Sequence, residues 1–211
     1  AGTRGAIIAN VGDNCTADSV AFAQKVEKLG VDAVMAVTPY YNKPPQEGLY
    51  RHFKAIAESV DVPVILYNIP GRCVINIEPD TILRLAHDVE NIVAVKQANA
   101  DLAQVKRIVE EAPDGFELLS GDDALTLPMM ELGGTGVISV LSHVAGPSVK
   151  AMIEYFLAGD AEKAHQLEDI LMPLADALFM TANPIMVKDA LAIEGFTVGG
   201  VRLPLVEPTR E

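Results

Sequence analysis

One lysine in the chain is placed like a nucleophile. Lys96 directly follows the apolar run 92–95, which would carry its aliphatic stem into the interior of a sheet or barrel. Desolvation disfavours the charged ammonium, so such a lysine has a lowered pKa and a neutral amine near neutral pH. A neutral amine is what imine formation with a carbonyl substrate requires. The alternative is a lysine that ends a strand and extends its amine into solvent.

Two side chains that precede Lys96 could assist such chemistry. Tyr67 ends the preceding apolar run, so in a parallel sheet it would lie beside Lys96, where a phenol can carry protons to and from the substrate. Arg72 follows five residues later and offers a planar fork that matches a carboxylate. The alternatives are a tyrosine used for packing and an arginine in a surface ion pair.

Two further pairs of residues also lie at strand ends. Tyr40 and Tyr41 are adjacent aromatic residues that could line a site or fill an interface. Asp122 and Asp123 could serve a metal or acid–base chemistry. Asp123 precedes an apolar helical pattern, however, so we predict that it caps that helix.

Composition excludes several classes of protein. The 211 residues are 50 % hydrophobic, which is enough for one globular domain with a large core. The net charge of −13 makes nucleic acid and anionic membrane poor partners, and apolar runs reach only about half a membrane span. Two cysteines are too few for a disulfide scaffold, and the four histidines lack metal-ligand spacing. We predict a soluble, cytoplasmic protein with no metal and no cofactor.

Short β-branched runs alternate with amphipathic segments along the first two thirds of the chain. A repeat of about 25 to 30 residues per unit predicts parallel strands with right-handed crossovers. The predicted strands are residues 6–10, 32–37, 63–67, 92–96, 116–119 and 136–140. The predicted helices between them are residues 17–29, 46–59, 79–87, 101–112 and 123–132.

The pattern becomes purely helical near residue 147, with predicted helices at 147–157, 161–180 and 184–193. If the α/β part is a barrel, we expect a partial barrel at 1–146, then the last barrel helix and a helical segment at 147–211. A doubly wound sheet usually has a Gly-rich phosphate loop after its first strand, but residues 10–14 read NVGDN. The other α/β solution is a (β/α)8 TIM barrel lacking two units, with its catalytic residues at the carboxyl ends of the strands.

The strand ends together resemble the dihydrodipicolinate synthase family over essentially the whole chain. The segments that carry the resemblance are residues 40–50 (YYNKPPQEGLY), 66–72 (LYNIPGR), 95–96 (VK), 119–123 (LSGDD), 136–140 (GVISV), 183–185 (NPI) and 202–205 (RLPL). The related N-acetylneuraminate lyases and 2-keto-3-deoxy-sugar-acid aldolases share the lysine and the Tyr-Asn-x-Pro segment. They do not share the NKPxQEG stretch, which stands here at residues 42–48.

The resemblance implies a lyase of lysine and diaminopimelate biosynthesis. Such an enzyme condenses pyruvate with L-aspartate 4-semialdehyde to 4-hydroxy-tetrahydrodipicolinate, and it uses no metal or organic cofactor. By the family motif, Lys96 would form the imine with pyruvate and Tyr67 would relay protons. Tyr41 would reach across a tight dimer interface into the neighbouring site.

The remaining roles are implied in the same way. Arg72 would bind the carboxylate of the semialdehyde, and Ile138 would contact pyruvate through its backbone. Asn14, Tyr40 and Asp18 match part of a pocket for feedback inhibition by lysine. Family members are usually dimers of dimers, which predicts a homotetramer.

The chain also departs from the family pattern. The first two βα units are missing, together with a Gly-Thr-Thr-Gly-Glu loop, and so is the helix expected after Pro204. We therefore expect strands 3–8 of the barrel and a fragment of a longer protein. Gln97 stands where an acid is more common. Two alternatives stay open: a sister aldolase acting on a longer 2-keto acid, and an inactive remnant that serves as an interaction subunit, although retention of Lys96, Tyr67 and Arg72 argues against the latter.

Overall fold

Six parallel strands form one sheet in the computed structural model, which describes residues 5–209. The strands lie in space in their chain order, from β1 to β6, and every neighbouring pair is parallel. They are β1 (Ile8–Asn10), β2 (Ala33–Val37), β3 (Val64–Asn68), β4 (Ile92–Gln97), β5 (Glu117–Ser120) and β6 (Gly136–Val137). A doubly wound sheet reverses its strand order part-way, so this order excludes that alternative. Sequential order is how a singly wound barrel is built.

Helices follow the strands, and most lie where the sequence predicts them. They are α1 (Thr16–Glu27), α2 (Gln46–Ala57), α3 (Pro70–Cys73), α4 (Pro79–Asp88), α5 (Leu102–Glu111), α6 (Thr126–Glu131), α7 (Ser142–Leu157), α8 (Ala161–Leu178) and α9 (Ile185–Ile193). A short 3-10 helix at Asp123–Leu125 precedes α6. The single turn of α3 was not predicted.

Two predicted boundaries near the end of the sheet are wrong. The last strand ends at Val137 rather than at residue 140, and α7 begins at Ser142 rather than at residue 147. The neighbouring strand β5 also ends there, at Ser120, the register partner of Val137, and the Asp123 carboxylate instead accepts the N–H groups of Val140 and Leu141. Pro147 therefore lies inside α7, and the helix is kinked two residues earlier at Ala145, whose φ is −131°.

The two faces of the sheet differ in burial. Ala36, Leu66 and Val95 occupy one row across β2, β3 and β4 and are fully buried. Helices α2 and α4 contribute further fully buried side chains, Leu49, Phe53, Ile56, Ile82 and Leu85. On the opposite face, the row nearest the carboxyl ends of these strands, Val37, Tyr67 and Lys96, is only half-buried, as expected for a place that opens onto a site.

The structure comprises two compact units. The first contains the chain up to Gly121 together with Pro128–Val137, and the second contains Asp122–Leu127 and residues from Ile138 onward. The predicted domains 1–146 and 147–211 stay predictions, and their residues 1–4 and 210–211 lie outside the described part of the chain. No helix between residues 5 and 209 is both long enough and apolar enough to cross a membrane.

Candidate active site

Lys96 and Tyr67 lie side by side on the half-buried face of the sheet. They are register partners across β3 and β4, so both side chains point to the same face. The Lys96 Nζ lies 4.2 Å from the centroid of the Tyr67 ring. The adjacency predicted from the sequence is confirmed, and both side chains are half-buried rather than directed into bulk water.

Gly121 provides the space for the Lys96 side chain. A Cβ at this position would lie 3.1 Å from Lys96 Cε, 3.2 Å from Lys96 Cγ and 2.8 Å from Ala98 Cβ. Carbon atoms attract best at about 3.5–4.0 Å, so any side chain here would displace the lysine. In the sequence, the two acids after Gly121 indicate acid–base chemistry or a helix cap, and nothing there predicts a steric role for the glycine.

Hydrogen bonds hold the backbone of Tyr67, and burial affects the protonation of its phenol. The buried Thr38 donates both its backbone N–H and its hydroxyl to the Tyr67 carbonyl, each at 2.9 Å. Burial raises the pKa of the Tyr67 phenol, and the Arg72 guanidinium acts in the opposite direction. The phenol is therefore protonated at neutral pH, ready to donate a proton beside an amine.

Arg72 lies on α3, the single helical turn that follows β3. Its side chain is exposed, and its positive charge lowers the pKa of the Tyr67 phenol, against the larger effect of burial. Val74 ends the turn with a φ of 71°, a left-handed conformation that is strained for a β-branched residue. The surrounding structure must hold this turn in place.

The prediction that Asp123 caps the helix that follows it is wrong. Asp122 is the N-cap residue and accepts the Ala124 N–H at 3.0 Å. Asp123 is buried; its Oδ2 accepts the N–H groups of Val140 at 3.1 Å and Leu141 at 3.0 Å, and its Oδ1 accepts the Ser139 hydroxyl.

The Asp123 carboxylate therefore fixes the segment that begins with Ile138. The Ser139 hydroxyl in turn accepts the Ser142 N–H at 2.8 Å. The N–H groups of Val140, Leu141 and Ser142, which lead into α7, are satisfied in this way, and a negative charge there also suits the helix dipole. Ile138 belongs to the second unit and is half-buried directly after β6.

The loops after β1 and β2 meet at a second group of predicted residues. The Tyr40 hydroxyl donates to Asp13 Oδ2 at 3.2 Å, and Asn42 Nδ2 donates to the Asn14 carbonyl at 2.8 Å. Desolvation and the neighbouring Asp13 carboxylate raise the pKa of Tyr40. Asn14 and Tyr40 are thus part of one cluster, whose central acid Asp13 was not singled out from the sequence.

The other two predicted residues of this region face outward. Tyr41 is 86 % exposed and has a φ of 74°, so its ring is presented on the surface by a strained backbone. Asp18 lies exposed in the first turn of α1. Within residues 5–209, no hydrogen bond or ion pair joins Asp18 to the cluster around Asp13.

The arrangement suits covalent chemistry on a carbonyl compound. It combines an amine, a protonated phenol beside it and a cation within range of the phenol, which are a nucleophile, a proton donor and an anion-binding group. In the part of the chain that the structure describes, no three His, Cys, Asp or Glu side chains are grouped so that they could hold a metal ion. The expectation that no metal or cofactor is used stays a prediction.

Comparison with known proteins identifies the family of the chain. The family model described as the dihydrodipicolinate synthetase family matches residues 1–211. The chain belongs to this family. The resemblance read from the strand ends is therefore confirmed.

Individual relatives agree with this assignment. The chain is 52 % identical over 211 residues to 4-hydroxy-tetrahydrodipicolinate synthase 1 of Halalkalibacterium halodurans, covering all of this chain and 71 % of that enzyme. It is 50 % identical over 205 residues to the Bacillus subtilis synthase, covering 97 % of this chain and 71 % of the relative. A crystal structure of the Cyanidioschyzon merolae enzyme with lysine bound superposes with a TM-score of 0.97 and 48 % identity, covering 100 % of this chain and 71 % of that one.

Proposed function

We propose that this chain carries the site of a Schiff-base lyase that condenses pyruvate with L-aspartate 4-semialdehyde to 4-hydroxy-tetrahydrodipicolinate. The observation that carries the proposal is the Lys96–Tyr67 pair on neighbouring strands, 4.2 Å from amine to ring centroid, in a member of this family. The names of its relatives at 50–52 % identity support the semialdehyde, rather than a sugar acid, as the second substrate.

The first half of the reaction takes place on pyruvate. The Lys96 amine attacks C2 of pyruvate, the carbonyl oxygen leaves as water, and an iminium forms. The cationic nitrogen then accepts the electron pair of a C3–H bond as that proton leaves, which gives an enamine. Tyr67 donates and accepts the protons of these steps, because its protonated phenol lies beside the amine. The backbone of Ile138 contacts the bound pyruvate.

The second half consumes the semialdehyde. The enamine carbon attacks the aldehyde carbon, and the aldehyde oxygen takes up a proton. The amino group of the semialdehyde then attacks the iminium carbon, which closes the ring and releases the Lys96 amine. Arg72 binds the semialdehyde carboxylate, since a guanidinium forms two parallel hydrogen bonds with such a group.

We also propose an assembly in which neighbouring subunits complete each other's sites. The exposed ring of Tyr41 would enter the site of a second subunit and join its proton relay, and two such dimers would form a tetramer. Asn14, Tyr40 and Asp18 would contribute to a pocket for lysine. In support, Asn14 and Tyr40 lie in one cluster, and a relative has been crystallised with lysine bound.

The six strands are proposed to be strands 3–8 of a (β/α)8 barrel. Their sequential parallel order and the TM-score of 0.97 over 71 % of a crystallised relative support this numbering. The cytoplasm is proposed as the location, because the relatives carry the names of biosynthetic enzymes.

Trapping of the imine tests the mechanism. The complete protein is incubated with pyruvate and sodium borohydride, and the modified peptide is identified by mass spectrometry. We expect one reduced pyruvyl adduct on Lys96, and none in the Lys96→Ala variant. Lys54 is the matched control, since its Nζ also lies over a tyrosine ring, at 5.8 Å from the centroid of Tyr50, and Lys54→Ala should trap normally. An adduct on another residue, or on none, would refute the mechanism.

A substrate comparison tests the second half. Steady-state rates with the semialdehyde are compared with rates with sialic acid and 2-keto-3-deoxygluconate. Preference for a sugar acid would assign the chain to the sister aldolases. A protein that traps pyruvate on Lys96 but turns over none of the three would favour the interaction subunit.

A further inference from the structure

The segment that carries Arg72 is closed by a hydrogen-bonded clamp. This segment begins after Asn68, the last residue of β3, and runs to Ile77, just before α4. The Asn68 side chain joins these two points: its Oδ1 accepts the Ile77 N–H at 3.0 Å, and its Nδ2 donates to Asn76 Oδ1 at 2.7 Å. The loop that includes α3 is therefore tied at its base by one side chain.

Two other elements reinforce the same point. From α5, Gln104 accepts the Asn76 Nδ2 group at 2.8 Å and donates its own Nε2 to the Ile77 carbonyl at 3.0 Å. From the start of α2, Gln46 Nε2 donates to the Asn76 carbonyl at 2.9 Å. Asn76 is thus held through both its side chain and its backbone, by residues from β3, α5 and α2.

Such a network is not the simplest way to fill this space. Asn68 is fully buried and Gln104 is nearly so, and a buried amide that lacks a partner is costly. Apolar side chains of the same size would pack there without that requirement. A buried network in which the amides satisfy each other instead specifies a single arrangement of the backbone.

The clamp also contacts both strands of the candidate site. Asn68 directly follows Tyr67, Gln97 directly follows Lys96, and the two amide residues are themselves register partners. Asn68 Nδ2 donates to Gln97 Oε1 at 3.1 Å, on the face opposite to the Tyr67–Lys96 pair. The Asn68 side chain, which closes the Arg72 loop, therefore also joins the ends of the two strands that carry the phenol and the amine.

We infer that Asn68, Asn76 and Gln104 are positioning residues that hold Arg72 in register with Tyr67 and Lys96, so that the carboxylate of the second substrate is bound where the enamine can reach the aldehyde. This inference rests on the proposed function. Misplacing a substrate-binding group by about 1 Å can lower a rate by 10²-fold. Loosening the clamp at Asn76 leaves the Asn68–Gln97 hydrogen bond between the two strand ends in place. It therefore acts on the semialdehyde, whereas imine formation with pyruvate depends on Lys96, Tyr67 and the Ile138 backbone.

The test removes Asn76, the centre of the clamp, in the complete protein. For Asn76→Ala we expect the KM for the semialdehyde to rise about tenfold, the KM for pyruvate to stay within about twofold, and borohydride trapping on Lys96 to be unchanged. Asn76→Asp keeps the oxygen that accepts from Asn68 but loses the donor to Gln104, so its semialdehyde KM should rise less, by about threefold.

Asn91 provides the matched control, because it is also a structural amide. Its Nδ2 donates to the carbonyls of Ala57 and Val60 at 2.9 and 3.0 Å, and it takes no part in the Arg72 clamp. Asn91→Ala should lower the melting temperature without changing the ratio of the two KM values.

Two results separate the inference from the proposed function. If the unsubstituted protein traps no pyruvate, the proposed function is wrong. If it traps pyruvate but Asn76→Ala changes both KM values equally, or changes only the melting temperature as Asn91→Ala does, the positioning role is wrong. Should Asn76→Ala fail to fold, the KM ratio of Asn76→Asp decides in the same way.

Discussion

Replacing Gly121 by alanine should lower the reactivity of Lys96 while the protein stays folded. The new Cβ would lie 3.1 Å from Lys96 Cε and 2.8 Å from Ala98 Cβ. Gly121 does not have a positive φ, so alanine introduces no backbone strain and acts through these contacts alone. Restoring ordinary carbon contacts of about 3.5–4.0 Å requires the Lys96 side chain to retreat by roughly 0.5–1 Å.

The displacement sets the size of the expected effect. A shift of about 1 Å at a reacting group can cost about 10²-fold in rate, so we expect kcat/KM for pyruvate to fall by about 10- to 100-fold. Overpacking of this kind destabilises by about 1–3 kcal/mol, which leaves a folded protein. The rate of borohydride-dependent labelling of Lys96, measured by quenched mass spectrometry, reports the displacement directly.

The control for this prediction is Gly146→Ala. Gly146 also lacks a positive φ, and a Cβ there would meet no atom within 4 Å, so neither labelling nor turnover should change. If folded Gly121→Ala protein labels Lys96 as fast as the unsubstituted protein does, the lysine does not depend on this space and the steric argument is wrong.

Two further predictions concern buried charge. Asp123→Asn weakens the acceptor of the Val140 and Leu141 N–H groups, so we expect a loss of about 2 kcal/mol of stability and a rise of about tenfold in the KM for pyruvate. The control is Asp101→Ala, which removes the N-cap of α5 and should lower stability by about 1 kcal/mol without changing that KM; equal KM values in the two variants would contradict this. Burial lowers the pKa of His52 to about 4, so between about pH 6.5 and 4 the unfolded chain binds the extra proton and the free energy of unfolding should fall by about 3 kcal/mol. Thermal melts of His52→Gln should show a shallower loss over that pH range, and identical losses would refute the assignment.

The chemistry-bearing pair could be predicted because it depends on local patterns. Lys96 and Tyr67 each end an apolar run, and parallel strands bring their carboxyl ends to one edge of a sheet. The period of two along a strand then decides which face each side chain occupies. These rules need no knowledge of distant contacts, so the adjacency of the two residues followed from the sequence.

The groups that hold the loops could not be predicted, because their partners are distant in the chain. From the sequence, Asp123 is the expected helix cap because it directly precedes the apolar pattern, whereas Asp122 takes that position in the structure. Only the position of Val140 and Leu141 decides that Asp123 turns away from its own helix to bind their N–H groups. The signal was the pair of adjacent acids, since one carboxylate suffices for the cap and the other is left for another task. The Arg72 clamp could not be predicted for the same reason, because Asn76 finds its partners on other elements of the chain.

Two loops with proposed substrate contacts are anchored by the same physical device. Asn68 accepts the Ile77 N–H at the base of the loop that carries Arg72. Asp123 accepts the N–H groups of Val140 and Leu141, shortly after Ile138. Each anchor satisfies a backbone donor that its loop leaves without a ladder partner, which explains why a buried polar side chain is retained at each place.

Each of the two anchored loops therefore serves one substrate, and steady-state kinetics can distinguish their effects. The Arg72 clamp holds the loop of Arg72, which is proposed to bind the semialdehyde. The Asp123 hydrogen bonds hold the segment of Ile138, whose backbone is proposed to contact pyruvate. Weakening the first at Asn76, or the second at Asp123, should therefore raise the KM of one substrate and leave that of the other nearly unchanged. A general loss of rigidity would raise both, so crossed KM values distinguish placed binding groups from a merely stable fold.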